Sequence, residues 1–330
     1  MASNQNQSFQ SILQDKPRFS VFPLRRPLIW KEYKNQQSLA WVSEEVVFSR
    51  DWNDWINLTP EEQKFLKFQL GFFAVGDGYI IENLISQFTE EVDCLEVQYT
   101  YAHQAVIEQI HAEVYGRTIL AYIKDEKERN ELLAKSCELP TIKKKTNWIK
   151  KWMNADNGSF GERLFAFAIV EGVFFSGAFC AIYYFKERGV LPGLCHANDL
   201  IARDEGMHCD FAAFLNQYLA PYERCTQEKA YDIIKGAVEI EDYFINKAMP
   251  CSLIGMNPEL MSEYIRFVAD RLLVQFGHKK LYNAKCPFPY MERLGLRGKS
   301  NFFEKEVGDY GKAMVGLADE DNEFALTDDF

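Results

Sequence analysis

The sequence predicts an all-α protein, a bundle of long helices in which two helix pairs share one core. Three observations lead there. Long apolar-periodic stretches dominate the 330 residues, and no run of short alternating strands interrupts them. The few prolines and glycines, 11 and 19, fall largely where those stretches end. Finally, Glu108-x-x-His111 recurs as Glu205-x-x-His208, and a lone acid precedes each copy at nearly equal spacing, Asp77 before the first and Glu171 before the second. With 47% apolar residues the chain has ample material for a packed core.

Residues 1–16 are polar and rich in Gln and Ser, lack the apolar core of a signal peptide, and are expected to be disordered. Thr59-Pro60-Glu61-Glu62 supplies an N-cap, a proline at the first helical position and a capping-box glutamate, opening a helix towards Phe88. Thr89-Glu90-Glu91 is expected to open the next, running to about Ile123. The polar connection 124–158 is expected to hold one shorter helix, around 146–153. Its basic cluster, Lys143-Lys144-Lys145 with Lys150 and Lys151, reads as a solvated loop and helix face. Ser159-x-x-Glu162 caps a third long helix, which stops at Gly189 with Pro192 beyond. A fourth is expected to begin near Asn198 and end before Pro221, and two more cover 226–249 and 257–276. A long crossover between two antiparallel helix pairs is the ferritin-like arrangement. The acidic end, 319–330, carries only isolated apolar side chains and is either disordered or a partner-binding peptide.

A net charge of −11 argues against a general binder of nucleic acid or anionic membranes. Eight scattered cysteines without a C-x-x-C pair resemble neither a zinc site nor a disulfide framework and suit a reducing, cytoplasmic compartment. The run 164–185 carries a single charge, Glu171, and is long enough to span a bilayer. A bundle's central helix is also apolar all round, and a carboxylate is expensive in lipid, so the expectation is a buried helix and no membrane.

A helix turns about 100° per residue, which sets His111 about 60° and Tyr115 about 20° from Glu108. All three share a face, turned inward by Ala105 and Ile119. Asp77 lies deep in an apolar helix, in Val75-Gly76-Asp77-Gly78-Tyr79. A carboxylate helix followed by a Glu-x-x-His helix, given twice, is the ligand set of a dinuclear metal site inside a four-helix bundle. Burying four carboxylates uncompensated is very costly, and two divalent cations would cancel their charge. Carboxylate-rich ligation with one imidazole per metal suits iron or manganese better than zinc. The chain has only five histidines, so two in this pattern form a specific signal. Phe175 and Phe179 follow Glu171 on its helix face, and Ile201 precedes Glu205 by one turn. They could wall the metals and Tyr115 from water, although ordinary core packing accounts for the same residues. The residues alone leave open a radical generator, another di-iron oxygen-activating oxidase or hydroxylase, and an iron-storage protein.

The motifs go further. Gly76-Asp77-Gly78, Ile107-Glu108-Gln109-Ile110-His111-Ala112-Glu113-Val114-Tyr115, Phe167-Ala168-Ile169-Val170-Glu171-Gly172-Val173-Phe174-Phe175-Ser176-Gly177, Arg203-Asp204-Glu205-Gly206-Met207-His208-Cys209-Asp210-Phe211 and Asn301-Phe302-Phe303-Glu304-Lys305 stand in order along the chain. From about Pro17 to Phe330 the chain resembles the small, radical-generating subunit of class I ribonucleotide reductase, of the eukaryotic or viral type.

That resemblance implies a ferritin-like homodimer in which Asp77, Glu108, His111, Glu171, Glu205 and His208 bind two irons per chain as an oxo-bridged di-iron centre, with manganese also admissible. It implies that Tyr115 is oxidised to a stable radical when the ferrous site reacts with oxygen. Trp41, Asp204 and Tyr310 match the family's radical-transfer residues. The radical passes to a cysteine of a separate large catalytic subunit, which reduces ribonucleotides to deoxyribonucleotides for DNA synthesis. Phe324, Leu326, Asp328, Asp329 and Phe330 match the docking tail, although Thr327 stands where an Asp is common. The expected organisation is a di-iron domain over 17–300 and a flexible tail over 301–330. The other di-iron oxidases generally have Glu where Asp77 stands and need no such tail.

Overall fold

A computed structural model describes residues 11–136, 138–248 and 257–291. Ten principal helices order the described chain. They are α1 Pro27–Ser38, α2 Asp51–Asn57, α3 Pro60–Asn83, α4 Leu95–Tyr122, α5 Glu126–Ser136, α6 Pro140–Met153, α7 Phe160–Glu187, α8 Pro192–Asn216, α9 Gln227–Ala248 and α10 Pro258–Gln275. No strand occurs among the described residues. The antiparallel partners α3 and α4 pack together, as do α7 and α8, and α6, α9 and α10 cover the outer side of α7. Tyr310 and the tail residues Phe324, Leu326, Asp328, Asp329 and Phe330 lie outside the described residues.

Local capping chemistry sets most boundaries. Thr59 accepts from the Glu62 amide while the Glu62 carboxylate accepts from the Thr59 amide, with Pro60 at the first helical position. Ser159 Oγ accepts from the Glu162 amide at 3.2 Å and opens α7. Beyond the far end of α7, Gly189 takes φ +70°, the left-handed conformation in which glycine ends helices without strain.

Four expectations are corrected. Thr89-Glu90-Glu91 closes α3, which runs on through a π segment, Leu84–Phe88, and does not open α4. The Gln98 amide reaches back from α4 to the carbonyls of Thr89 and Val92, pinning the break between the helices. Helix α8 begins at Pro192, ahead of Asn198. Its free amides Gly193 N and Leu194 N donate to the Asp51 carboxylate, each at 2.8 Å. This N-cap comes from α2, distant in sequence; the local signal is Pro192 at the first helical position, which after Gly189 reads equally as a stop. The connection 124–158 holds two helices, and Lys145 of its basic cluster is fully buried. Lys143, Lys144, Lys150 and Lys151 are exposed as expected. Finally, Ser11–Lys16 is ordered. Ile12 is buried and pairs its backbone with Tyr218 and Cys94, and Ser11 Oγ donates to Glu223 at 2.6 Å.

The apolar run 164–185 lies in α7, whose most apolar window is entirely buried inside the protein. It is the central helix of the bundle, and α3, α4 and α8 turn their carboxylates and imidazoles towards it. The six cysteines among the described residues are free thiols, in keeping with the absence of a disulfide framework.

Candidate metal centre

Asp77 on α3, Glu108 and His111 on α4, Glu171 on α7 and Glu205 and His208 on α8 meet on the bundle axis, each almost completely buried. Their donor atoms divide into two groups that share Glu108. Asp77, Glu108 and His111 form one, and Glu108, Glu171, Glu205 and His208 the other, with the donor atoms of each within 4.8 Å of one another. The imidazoles define the two halves. His111 Nδ1 lies 3.2 Å from Glu108 Oε2 and 3.3 Å from Glu205 Oε1. His208 Nδ1 lies 3.0 Å from Glu108 Oε1 and 3.5 Å from Glu205 Oε2. Glu108 and Glu205 thus each offer one oxygen to either half, while Asp77 and Glu171 stand at opposite ends.

This donor set fits two divalent cations. Both Asp77 oxygens, both Glu205 oxygens, Glu108 Oε1, Glu171 Oε2 and His208 Nδ1 are buried without a hydrogen-bond partner, which a protein interior does not tolerate unless something else satisfies them. Titration behaviour expresses the same excess of negative charge. Burial pushes the Asp77 and Glu171 carboxyls well above the usual range, and neighbouring carboxylates reinforce it. Glu108 moves down, because the His111 and His208 imidazoles beside it outweigh its burial. Both imidazoles move well above their ordinary value, since the surrounding carboxylates overcome burial.

Behind His111 runs a hydrogen-bonded line. Its Nε2 lies 3.2 Å from Asp204 Oδ2, and the Trp41 indole N–H donates to the same oxygen at 2.6 Å. The Trp41 ring also stacks on the His111 ring, with centroids 6.1 Å apart. Arg203 holds the other Asp204 oxygen, at 2.9 Å, and the Leu39 carbonyl. The Asp204 carboxyl is lowered, its burial outweighed by His111, Arg203 and Trp41. Trp41 is buried, but its neighbours Ala40 and Val42 are exposed, so the line ends one residue from solvent.

Tyr115 follows on the same face of α4. Its hydroxyl is buried with no hydrogen-bond partner, and burial, together with the charges of Asp77, Glu205 and Glu108, raises it well above the usual phenol range. Its ring stacks on Phe73, with centroids 4.5 Å apart and planes 2° apart. Phe175 and Phe179 pack against Phe73 at 5.7 and 5.6 Å. Gly76, one turn on, permits this, because a Cβ there would approach the Phe175 ring to 3.0 Å. Ile201 is buried on α8, one turn before Glu205.

Sequence reasoning missed three contributors. Phe73 makes the direct stack, one turn before Asp77. Gln104 donates to Glu171 Oε1 at 2.9 Å. Arg203 clamps Asp204. Gln104 lies one turn before Glu108 and Phe73 one turn before Asp77, so helical spacing could have signalled both; that Arg203 turns back to clamp Asp204 shows only in three dimensions.

A model of the ribonucleotide reductase small chain matches residues 18–287. The chain belongs to the ribonucleotide reductase small-chain family. It is 48% identical over 322 residues to the ribonucleoside-diphosphate reductase small chain of Variola virus, covering 97% of this chain and 100% of that one. Its counterpart from Nicotiana tabacum is 47% identical over 317 residues, covering 95% of each. Among solved structures, the Rnr4 homodimer of Saccharomyces cerevisiae superposes with a TM-score of 0.78 at 32% identity, over 84% of this chain and 88% of that one. The function is therefore that of a reductase small subunit, an oxidoreductase component with a dinuclear metal site on a ferritin-like bundle. A self-sufficient oxidase and a storage cage are no longer favoured.

Proposed function

We propose that this chain is the cytoplasmic, homodimeric small subunit of a ribonucleoside-diphosphate reductase, in which Tyr115 stores the radical used by a separate large subunit. Asp77, Glu108, His111, Glu171, Glu205 and His208 hold two iron ions, and their oxygen-rich character also admits manganese. When bound, the metal pair supplies the oxidising power, drawn from oxygen, that removes one electron from Tyr115.

The chain's own residues govern the fate of that electron and its proton. Burial and the surrounding carboxylates keep the Tyr115 phenol protonated at neutral pH, so its oxidation must release a proton as well as an electron, for which the carboxylates of Asp77, Glu205 and Glu108 would be the acceptors. Phe73, Phe175 and Phe179 keep water and reductants from the ring. Asp204 orients His111 and accepts the Trp41 N–H, giving a route along which an electron and a proton can move between the centre and the surface. Tyr310 continues this route, and Phe324, Leu326, Asp328, Asp329 and Phe330 dock the large subunit.

The observation that carries the proposal is the stacked, buried and unpartnered Tyr115 beside two bridged His–carboxylate groups. Electron paramagnetic resonance after adding ferrous iron and oxygen should show a tyrosyl signal. Tyr115→Phe should bind the same metal, lose that signal and abolish turnover with the large subunit. Turnover retained by Tyr115→Phe would refute its role. Removing 324–330 should leave the signal intact and abolish large-subunit binding; unchanged affinity would refute the docking role.

A further inference from the structure

Glu171 lies on a π segment, Val170–Phe174, inserted in α7. A π turn carries one residue more than an α turn and is rarely stable unless neighbours hold it. Returning it to α periodicity would swing Glu171 by up to about 100° relative to one flank of the helix. Two side chains donate to carbonyls at the end of this segment. Ser176 Oγ binds Val173 O at 2.9 Å, and Lys145 Nζ binds Phe174 O at 3.0 Å.

Lys145 is unusual. It lies on α6, is wholly buried, and pairs with the equally buried Glu241 of α9 at 2.5 Å. The rest of its surroundings are aromatic, with its ammonium 3.6 Å from the Phe244 ring centroid and 3.9 Å from that of Phe72. Phe72 in turn packs edge-on to Phe175, at 5.5 Å. Gly177 lets α7 approach, since a Cβ there would stand 3.1 Å from Glu241 Oε1. A buried ion pair contributes little net stability compared with apolar side chains of equal volume, so stability alone does not account for it.

We infer that Lys145 is a positioning residue: its hydrogen bond to Phe174 O pins the π segment and thereby aims the Glu171 carboxylate at the centre, with Glu241 compensating its charge. This rests on Glu171 being a metal ligand. The device acts from outside the bundle core, through the backbone of α7, and touches neither a ligand nor Tyr115.

The test uses the full-length protein freed of metal and titrated with manganous ion under nitrogen. The double variant Lys145→Met/Glu241→Leu removes both charges and keeps the volume. It should fold with a thermal midpoint near that of the wild type, yet bind one of its two ions at least about tenfold more weakly. Amide hydrogen exchange over 174–179 should accelerate by a similar factor, a change that loss of packing elsewhere would not produce. Two tight ions with unchanged exchange would overturn the proposal. Should the double variant not fold, Glu241→Gln keeps the Lys145–Phe174 bond and should retain two tight ions; loss of one there would show that the counter-charge fixes the segment, and the proposal would fall. Glu171→Gln separates the premise from the inference. If that variant still binds two ions tightly, Glu171 is no ligand and the inference fails with it; if it loses one, the premise stands and the Lys145 result decides.

Discussion

Phe73 and Tyr115 stack face to face, their ring centroids 4.5 Å apart and their planes within 2° of parallel. The two residues come from different helices, and Phe73 also touches Phe175 and Phe179, so one side chain joins the whole aromatic wall. Phe73→Leu should cost about 1 kcal/mol of stability and open space beside the phenol. The metal content should be unchanged, while the tyrosyl signal decays several-fold faster. An unaltered decay rate would show that Phe73 only fills the core.

Asp204 joins His111 to Trp41 through one oxygen, at 3.2 and 2.6 Å. Asp204→Asn preserves shape but removes the negative charge, and with its oxygen towards His111 and Trp41 its NH2 must face the Arg203 guanidinium. Turnover with the large subunit should fall by about 10- to 100-fold. The Tyr115 signal should still form, because the substitution removes no metal ligand and leaves the rings packed on the phenol unchanged. Turnover within about twofold of wild type would contradict a route through Asp204.

Gln104 is the buried donor to Glu171 Oε1. Gln104→Leu leaves that oxygen without its hydrogen bond and frees the carboxylate to rotate. Metal affinity, measured against a competing chelator, should drop by about tenfold. Equal affinity in variant and wild type would mean that Glu171 is held by other contacts.

Far from the centre, Glu96 accepts from Arg25 N and Arg26 N and pairs with Arg18 at 2.5 Å. These bonds outweigh its burial and bring its carboxyl down to about 2. A folded-state value below the unfolded one gives stability that is present above the ordinary carboxylate range and is lost as pH falls towards about 2. Glu96→Gln should be less stable by about 2 kcal/mol at neutral pH. The gap to wild type should close as pH falls from 5 to about 2.5, measured by denaturant unfolding of both metal-free proteins. A constant gap would rule out the titration of Glu96 as its source.

Much of this centre is legible in the sequence because its grammar is local. Glu108 and His111, like Glu205 and His208, stand three residues apart, and helical periodicity alone puts such a pair on one face. The Thr59 and Ser159 caps and the Gly189 stop are equally local, each settled by a side chain or a φ angle within one turn. Where the reading failed, the deciding partner was distant. The start of α8 depends on Asp51, and the burial of Lys145 depends on Glu241 and Phe174. The order of Ser11–Lys16 depends on backbone bonds to Cys94 and Tyr218.

By itself, then, the sequence determined the helical class, the long helices and the carboxylate and imidazole set, since period and capping operate within a few residues. Only the tertiary structure decided which oxygen faces which imidazole, which ring covers Tyr115 and what supports Glu171. Those outcomes come from the packing of helices that meet only in the folded state, where a buried donor, charge or ring finds its partner across the core.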